Sequence, residues 1–372
     1  MKHLLFVGAG HAHLYPLSRV RDFVAAGIRV SLIAPGKFWY SGMGPGMVSR
    51  FYEPKDDTVD VQALVEEGGG AFIKDEVVRI APSDRVIHLR GGATMQYDAL
   101  SLNVGSEVPL HAIPGAADFG VPVKPIKNLL ALRERLSADK RPEELRVLVI
   151  GGGAAGSEVT ANIWHLLERS ATASRITLVH AGDRILEEAT ARAARKLTDY
   201  LECLGVEVVC GARAERVRAG NVELKDGRSL PFHHLVVAIG IRPPALLAES
   251  GLPCAQDGSM RVNAFLQCPD FREIFGAGDA ICFGEKCLPR IGVYAVRQAP
   301  VLHANLLSYL AGRPLQRFKP QKRYLLILNL GDGTGLLTRG RFLLRGRWAF
   351  LLKDWLDRRF VRQFQRDQRE RV

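Results

Sequence analysis

The chain has 372 residues, 47% of them hydrophobic and 24% charged, an ordinary globular balance that excludes a disordered or fibrous protein. At roughly 150 residues per domain, the length points to two or three domains. The formal charge of +12 is concentrated: residues 313–372 hold 16 basic and 5 acidic side chains, against 35 and 34 in residues 1–312. A nucleic-acid binder that is basic throughout is disfavoured, and the tail needs its own explanation. No apolar run reaches the ~18 residues of a membrane-spanning helix. The chain enters an apolar strand directly after Met1-Lys2-His3, so a leader peptide is not expected. The six cysteines (Cys203, Cys210, Cys254, Cys268, Cys282 and Cys287) form no Cys-x-x-Cys pair. A disulfide scaffold or a metal site is therefore not expected, and a reduced cytoplasmic setting is the default.

In chain order, Leu4–Val7 reads as a short buried strand leading into Gly8-Ala9-Gly10-His11-Ala12-His13, then a helix to about Ala26 and a second strand over Ile28–Ile33. This is a βαβ unit with a Gly-rich first turn. Gly8 permits the turn, and Gly10 lets backbone approach a pyrophosphate at the helix N-terminus. His13 stands where the pattern has its third glycine, and Ala34-Pro35 stands where an acidic ribose acceptor is expected. A second copy is more complete. Val147–Ile150 leads into Gly151-Gly152-Gly153-Ala154-Ala155-Gly156, with all three glycines, and Ile176–Val179 is the next strand. Here too the acid is missing, replaced by His180. Nearby Arg184 is either a 2′-phosphate ligand or, more simply, a solvated loop arginine. A third signal, Ile274-Phe275-Gly276-Ala277-Gly278-Asp279, runs from a strand into glycines and a carboxylate suited to the sugar chain of a large cofactor. Two more strand-to-glycine exits, Leu100–Gly105 and Leu235–Gly240, fall where the chain would cross between two nucleotide domains.

With these three motifs together, the sequence resembles the two-dinucleotide-domain flavoproteins, the pyridine nucleotide-disulfide oxidoreductase superfamily. Within it the chain is similar to the branch of type II NADH dehydrogenases and sulfide:quinone oxidoreductases, most of all to a subfamily also found fused to selenide, water dikinase. The resemblance runs nearly end to end, through Tyr40–Gly46, Ser101–Ser106, Lys124-Pro125-Ile126, Gly151–Glu158, Phe275–Asp279, Gly292–Gln298 and Trp348 with Lys353–Phe360. It implies an α/β fold of two Rossmann-like domains followed by a C-terminal hairpin and amphipathic helix. The FAD-binding domain would be discontinuous, residues 1–115 and 240–312. An NAD(P)H-binding domain, 116–239, would be inserted in it, and 313–372 would form a basic interface module. FAD would be held by Gly8, Ala9, Gly10, His11, His13, Gly42, Val77, Gly105, Gly278 and Asp279, and NADH or NADPH by Gly151, Gly153 and Gly156. Hydride would pass from nicotinamide to flavin, with the cofactors carrying the chemistry.

The electron acceptor is open to more than one reading. Residues 36–53 contain no cysteine, so the dithiol relay of the disulfide reductases is not expected. Cys282 and Cys287 read as buried and inert, since free cysteine is among the most buried residue types. A quinone remains, with Lys124, Glu158 and Gln298 as catalytic candidates implied by the resemblance. Gln298 or Arg297 would approach the flavin edge or a quinone carbonyl; the simpler account is ordinary helix polarity. Glu158 would reach the flavin–nicotinamide junction, or else be a first-turn acid favoured by the helix dipole. The alternatives are a flavoprotein acting on sulfur or selenium species and a non-enzymatic redox sensor.

In the tail, Arg323–Asn329 and Leu336–Leu344 read as strands joined by Gly331-Asp332-Gly333. Trp348, Leu351, Leu352, Trp355, Leu356, Phe360 and Phe364 form one helical stripe, with Lys353, Arg358, Arg359, Arg362 and Arg366 on the other surface. Such a helix suits the interface of an anionic membrane; alternatively the stripe packs on protein. The expectation is a peripheral protein on the cytoplasmic face of the inner or plasma membrane, with a homodimer among the expected assemblies and no nucleic-acid partner.

Overall fold

In the computed structural model, residues 1–284 and 287–365 are described. Arg366, expected on the polar face of the last helix, lies outside them. The elements that position the site are β1 (Lys2–Val7), α1 (His11–Leu17), β2 (Ile28–Ala34), β3 (Ala71–Lys74) and β4 (Ala99–Leu102). They continue with β5 (Gly120–Pro122), α2 (Lys127–Ala138), β6 (Leu145–Ile150), α3 (Ala154–Arg169), β7 (Ser174–Val179), β8 (Glu207–Val209) and β9 (His234–Val237). Last come β10 (Ile274–Gly276), α4 (Gly292–Leu310), β11 (Leu326–Asn329), β12 (Gly335–Arg339), β13 (Phe342–Gly346) and α5 (Arg347–Gln365).

Two five-stranded parallel sheets form the frame. The first has the order β10-β4-β1-β2-β3 and the second β5-β9-β6-β7-β8. Leu4, Leu5 and Phe6 of β1 are fully buried, as the central strand of a sheet covered on both faces requires. Its register pairs Val7 with Ile33 on one side and with Leu102 on the other. The chain leaves β1 for β2 on one flank and reaches β4 on the opposite flank, so a crevice opens at the C-terminal ends of β1 and β4. In the second sheet the same switch lies between β6 and β9. The first sheet draws strands from residues 2–102 and 274–276, whereas the second is drawn from 120–237 alone. The antiparallel bridge of Glu107 to Arg242 ties the two crossing segments together.

The tail is not a free-standing module. Leu328, Leu330 and Leu336 join the hydrophobic core of the second sheet, while Phe350, Val361 and Phe364 of α5 join that of the first. The expected second tail strand is in fact two, β12 and β13, turned at Gly340. Among the described residues no helix is long and apolar enough to cross a membrane.

The expected stripe of α5 divides in two. Trp348, Leu351, Leu352, Trp355 and Leu356 are exposed, Trp348 by 78% and Trp355 by 54%. Phe364 is buried and Phe360 half-buried. The face that enters the protein is Ala349, Phe350, Lys353, Asp357, Val361 and Phe364. Lys353 was expected on the polar surface; it is buried instead because Asp357, one helical turn on, neutralises it.

Candidate functional site: two glycine-rich turns and a lysine–aspartate pair

At the end of β1, Gly8 turns with φ +80°, a conformation that favours glycine. A side chain there would meet the Asn103 carbonyl at 2.6 Å. Asn103, at the end of β4, organises the crevice. Its backbone carbonyl accepts the Gly10 N–H (3.2 Å) and its Oδ1 the Ala12 N–H (3.0 Å), while Nδ2 donates to the Ala277 carbonyl (2.7 Å). One buried side chain thus joins the ends of β1, β4 and β10. The sequence signal was available, since Asn103 sits in a strand-to-glycine exit, but no motif singled it out.

His13 is buried behind the turn. Burial pushes its pKa down to about 4, so the ring is neutral. Nδ1–H donates to the Gly8 carbonyl (2.5 Å), and Nε2 accepts from the Ser101 hydroxyl (2.8 Å). The residue that replaces the third glycine therefore braces the turn from behind. His11, on the crevice side, is likewise pushed down to about 4, first by burial and also by Lys124. Its ring lies between Phe38 (4.9 Å), Tyr40 (5.4 Å) and Phe360 (6.2 Å), with Nε2 3.4 Å from Ser41 Oγ.

Past β10, Asp279 accepts from Ser106 Oγ (2.7 Å) and pairs with Lys124 Nζ (2.9 Å). Burial alone raises its pKa, but Lys124 and Ser106 hold the carboxylate below the usual range. The structure thus brings Lys124 and Asp279 together from segments 155 residues apart. Gln298 is buried, and its Oε1 accepts the Gly278 N–H (2.7 Å), fixing the loop that carries Asp279. Arg297 beside it points to solvent. Gly42 reaches the same region, its carbonyl accepting from Lys353 Nζ (2.6 Å). Gly105, with φ +75°, faces open space. Val77 lies opposite Leu89 in an antiparallel sheet and packs against the core of the first sheet. Arg290, which no motif marked, donates to the carbonyls of Asp279 (3.0 Å) and Ile241 (3.1 Å), and pairs with Asp257.

The second turn opens between β6 and α3. Gly151 has φ +110° and passes against the Ala238 backbone, while Gly156 packs onto Gly151. Gly153 is the N-cap of α3 and carries no side-chain cap. The first N–H of that helix, Ala154, donates to Glu188 Oε1 (2.7 Å), an exposed acidic side chain at the positive end of the helix. Arg184 is a half-buried loop residue whose guanidinium donates to the carbonyls of Leu186, Glu187 and Ala189 within its own loop.

Glu158 lies beyond the first turn of α3, which excludes the dipole account. It is buried, accepts the Asn329 N–H (2.6 Å) and faces Lys353, and burial pushes its pKa up to about 7. Cys282 and Cys287 are joined in a disulfide, with Cα atoms 4.3 Å apart, Cys282 buried and Cys287 exposed. Two inert buried thiols were expected. The structure joins them instead.

The glycine turns, the Asn103 brace and the Asp279 carboxylate fit FAD at the first crevice, and the second turn fits a nicotinamide dinucleotide. Such a frame defines an oxidoreductase with two dinucleotide sites. The chain belongs to the pyridine nucleotide-disulphide oxidoreductase family, whose model matches residues 2–299. It is 24% identical over 304 residues to a demethylphylloquinone reductase of Synechocystis, covering 78% of this chain and 74% of that one. It is 26% identical over 306 residues to ferroptosis suppressor protein 1 of Taeniopygia guttata, covering 77% and 78%. Its fold matches NDH2 of Plasmodium falciparum solved with NADH, at a TM-score of 0.84 and 15% identity over 97% and 98% of the chains. It also matches the sulfide:quinone oxidoreductase of Aquifex aeolicus, at 0.82 and 16% over 98% and 92%.

Proposed function

We propose that the protein is an FAD-dependent NAD(P)H:quinone oxidoreductase working at a membrane surface. The observation that carries the redox reading is the convergence of Gly8, Asn103, Lys124 and Asp279 on one crevice, beside a second glycine turn. FAD, when bound, supplies the two-electron chemistry. The chain's own part is to bind and orient. Gly8 and Gly10 admit the pyrophosphate, and Asp279, kept ionised by Lys124, offers an acceptor to the cofactor's sugar chain. Gln298 holds the Asp279 loop, and Lys124 is placed to meet negative charge beside it. Anaerobic mixing with NADH or NADPH is expected to bleach the visible flavin band; no bleaching by either at millimolar levels overturns this reading.

The quinone reading draws on relatives named as demethylphylloquinone reductase and NAD(P)H-ubiquinone oxidoreductase. The membrane reading draws on the exposed apolar face of α5, extended by Phe342 and Leu344 of β13. Arg359 lies 5.2 Å over the Trp355 ring, a basic group beside the apolar face. The disulfide three residues after Asp279 favours a second reading, oxidation of a thiol or sulfur species. In that case Cys282→Ser and Cys287→Ser would each abolish flavin reduction by thiols, and unchanged reduction would remove it.

A further inference from the structure

Between α3, α5 and the segment 40–57 lies a buried group of ionisable side chains that binding FAD and NAD(P)H does not use. Asp357 accepts from Tyr40 Oη (2.9 Å) and pairs with Lys353 (2.7 Å). Glu158 faces Lys353 from α3. Asp57 is fully buried, and neither of its oxygens has a hydrogen-bond partner among the described residues. Three carboxyl groups therefore share one ammonium. Nearby, Arg358 is taken by Asp56 (3.1 Å) and Asp354 (2.8 Å), so it adds no free positive charge, and Tyr40 and Tyr52 complete the lining.

A buried carboxylate without a hydrogen bond or partner cation is too costly to persist, and such a group neutralises by taking a proton. Asp57 is the member that meets this condition: Lys353 is already paired with Asp357, and Glu158 has the Asn329 N–H. Burial, then the nearby Asp357, pushes its pKa up to about 8. A proton is thus held beside Tyr40, whose N–H donates to the Asp57 carbonyl (2.9 Å) and whose ring lies tilted against His11 at the first dinucleotide turn (5.4 Å).

We propose that Asp57 is the proton store for acceptor reduction, delivering through the Asp357–Lys353 pair. This rests on the quinone reductase reading. NAD(P)H gives a hydride, two electrons and one proton, and becomes NAD(P)+. A quinone takes two electrons and two protons to become the hydroquinone, so one proton per turnover comes from water. Asp57 holds that proton, gives it up as the acceptor is reduced, and is refilled from solvent by way of half-exposed Asp56.

The test is an infrared titration of the FAD-loaded protein, set beside turnover with a soluble quinone and with ferricyanide, which takes electrons but no proton. The wild-type protein is expected to show a protonated-carboxyl band at pH 6.5 that fades toward pH 10, and Asp57→Asn to lose the part that titrates near 8 and keep only the Glu158 part near 7. The ratio of quinone to ferricyanide turnover is expected to fall on the order of 100-fold in Asp57→Asn, the span of a lost general acid. A wild-type spectrum without the band overturns the proposal and needs no variant. So does a band whose amplitude is undiminished in Asp57→Asn, or quinone and ferricyanide rates that fall together. If neither nucleotide reduces the flavin, the function reading fails, while the infrared band still decides where the proton sits.

Discussion

At the scale of single residues, Asn103 does what no glycine motif does by itself: it holds three strand ends in register at one crevice. Asn103→Ala would leave the buried Ala12 N–H and Ala277 carbonyl without partners, at about 1–3 kcal/mol each. The expected outcome is a loss of roughly 2–4 kcal/mol in urea denaturation and weaker FAD retention. A loss below about 1 kcal/mol would mean that water replaces both contacts. The glycines were legible because a tight turn beside a phosphate admits few residue types. Asn103 was not, because its partners lie 91 and 174 residues away and leave no local pattern. The same applies to the Lys124–Asp279 and Arg290–Asp257 pairs. Each half looks like ordinary polarity until the fold supplies the other.

At the scale of elements, α5 shows how hydrophobic periodicity reads a helix and where it misleads. The sequence stripe followed the large apolar residues, most of which point to solvent. The buried face, Phe350, Lys353, Asp357, Val361 and Phe364, has equally good helical spacing. It was hidden because a lysine and an aspartate occupy its middle. Lys353→Ala would leave Asp357 buried with no cation, and removing one partner of such a pair costs about 3–5 kcal/mol. A shift in urea midpoint much smaller than this would place the pair in water. The outer face behaves oppositely. The double variant Trp348→Ser, Trp355→Ser is expected to keep stability within about 0.5 kcal/mol of wild type. It should nonetheless lose most binding to vesicles containing anionic lipid at low salt. Equal vesicle binding by both proteins would remove the membrane reading. Deleting α5 would not separate these outcomes, because the deletion also opens the first core.

For the whole molecule, buried titratable groups set how stability follows pH. Asp57 and Glu158 have folded values of about 8 and about 7, above their ordinary 3.8 and 4.5. The folded state binds more protons there, so stability falls as pH rises through those values. His11 and His13 act with the opposite sign, withdrawing stability as pH falls from 6.5 toward about 4. Above pH 6.5 the histidines' contribution is complete and no longer changes with pH. The denaturation midpoint is therefore expected to drop between pH 6.5 and 9, and to drop less steeply in Asp57→Asn. Identical slopes would show that Asp57 is ionised throughout. The two-sheet α/β architecture was readable at this scale, since each glycine turn implies its own βαβ unit. That the basic tail divides between two cores was not, because charge counts say nothing about which sheet a strand joins.

The division of the first sheet between residues 2–102 and 274–276 has a consequence for how the protein is made. Synthesis runs from the N-terminus, and domains fold as their residues emerge. The second sheet, contiguous over 120–237, is complete while the first still lacks the strand that flanks β4. The loop at 40–57 then waits for a helix some 300 residues later to cover it. Cofactor loading is therefore a late event: a nascent chain paused before β10 would expose the edge of β4, and one paused before α5 would still expose Asp57, to the chaperones around the ribosome.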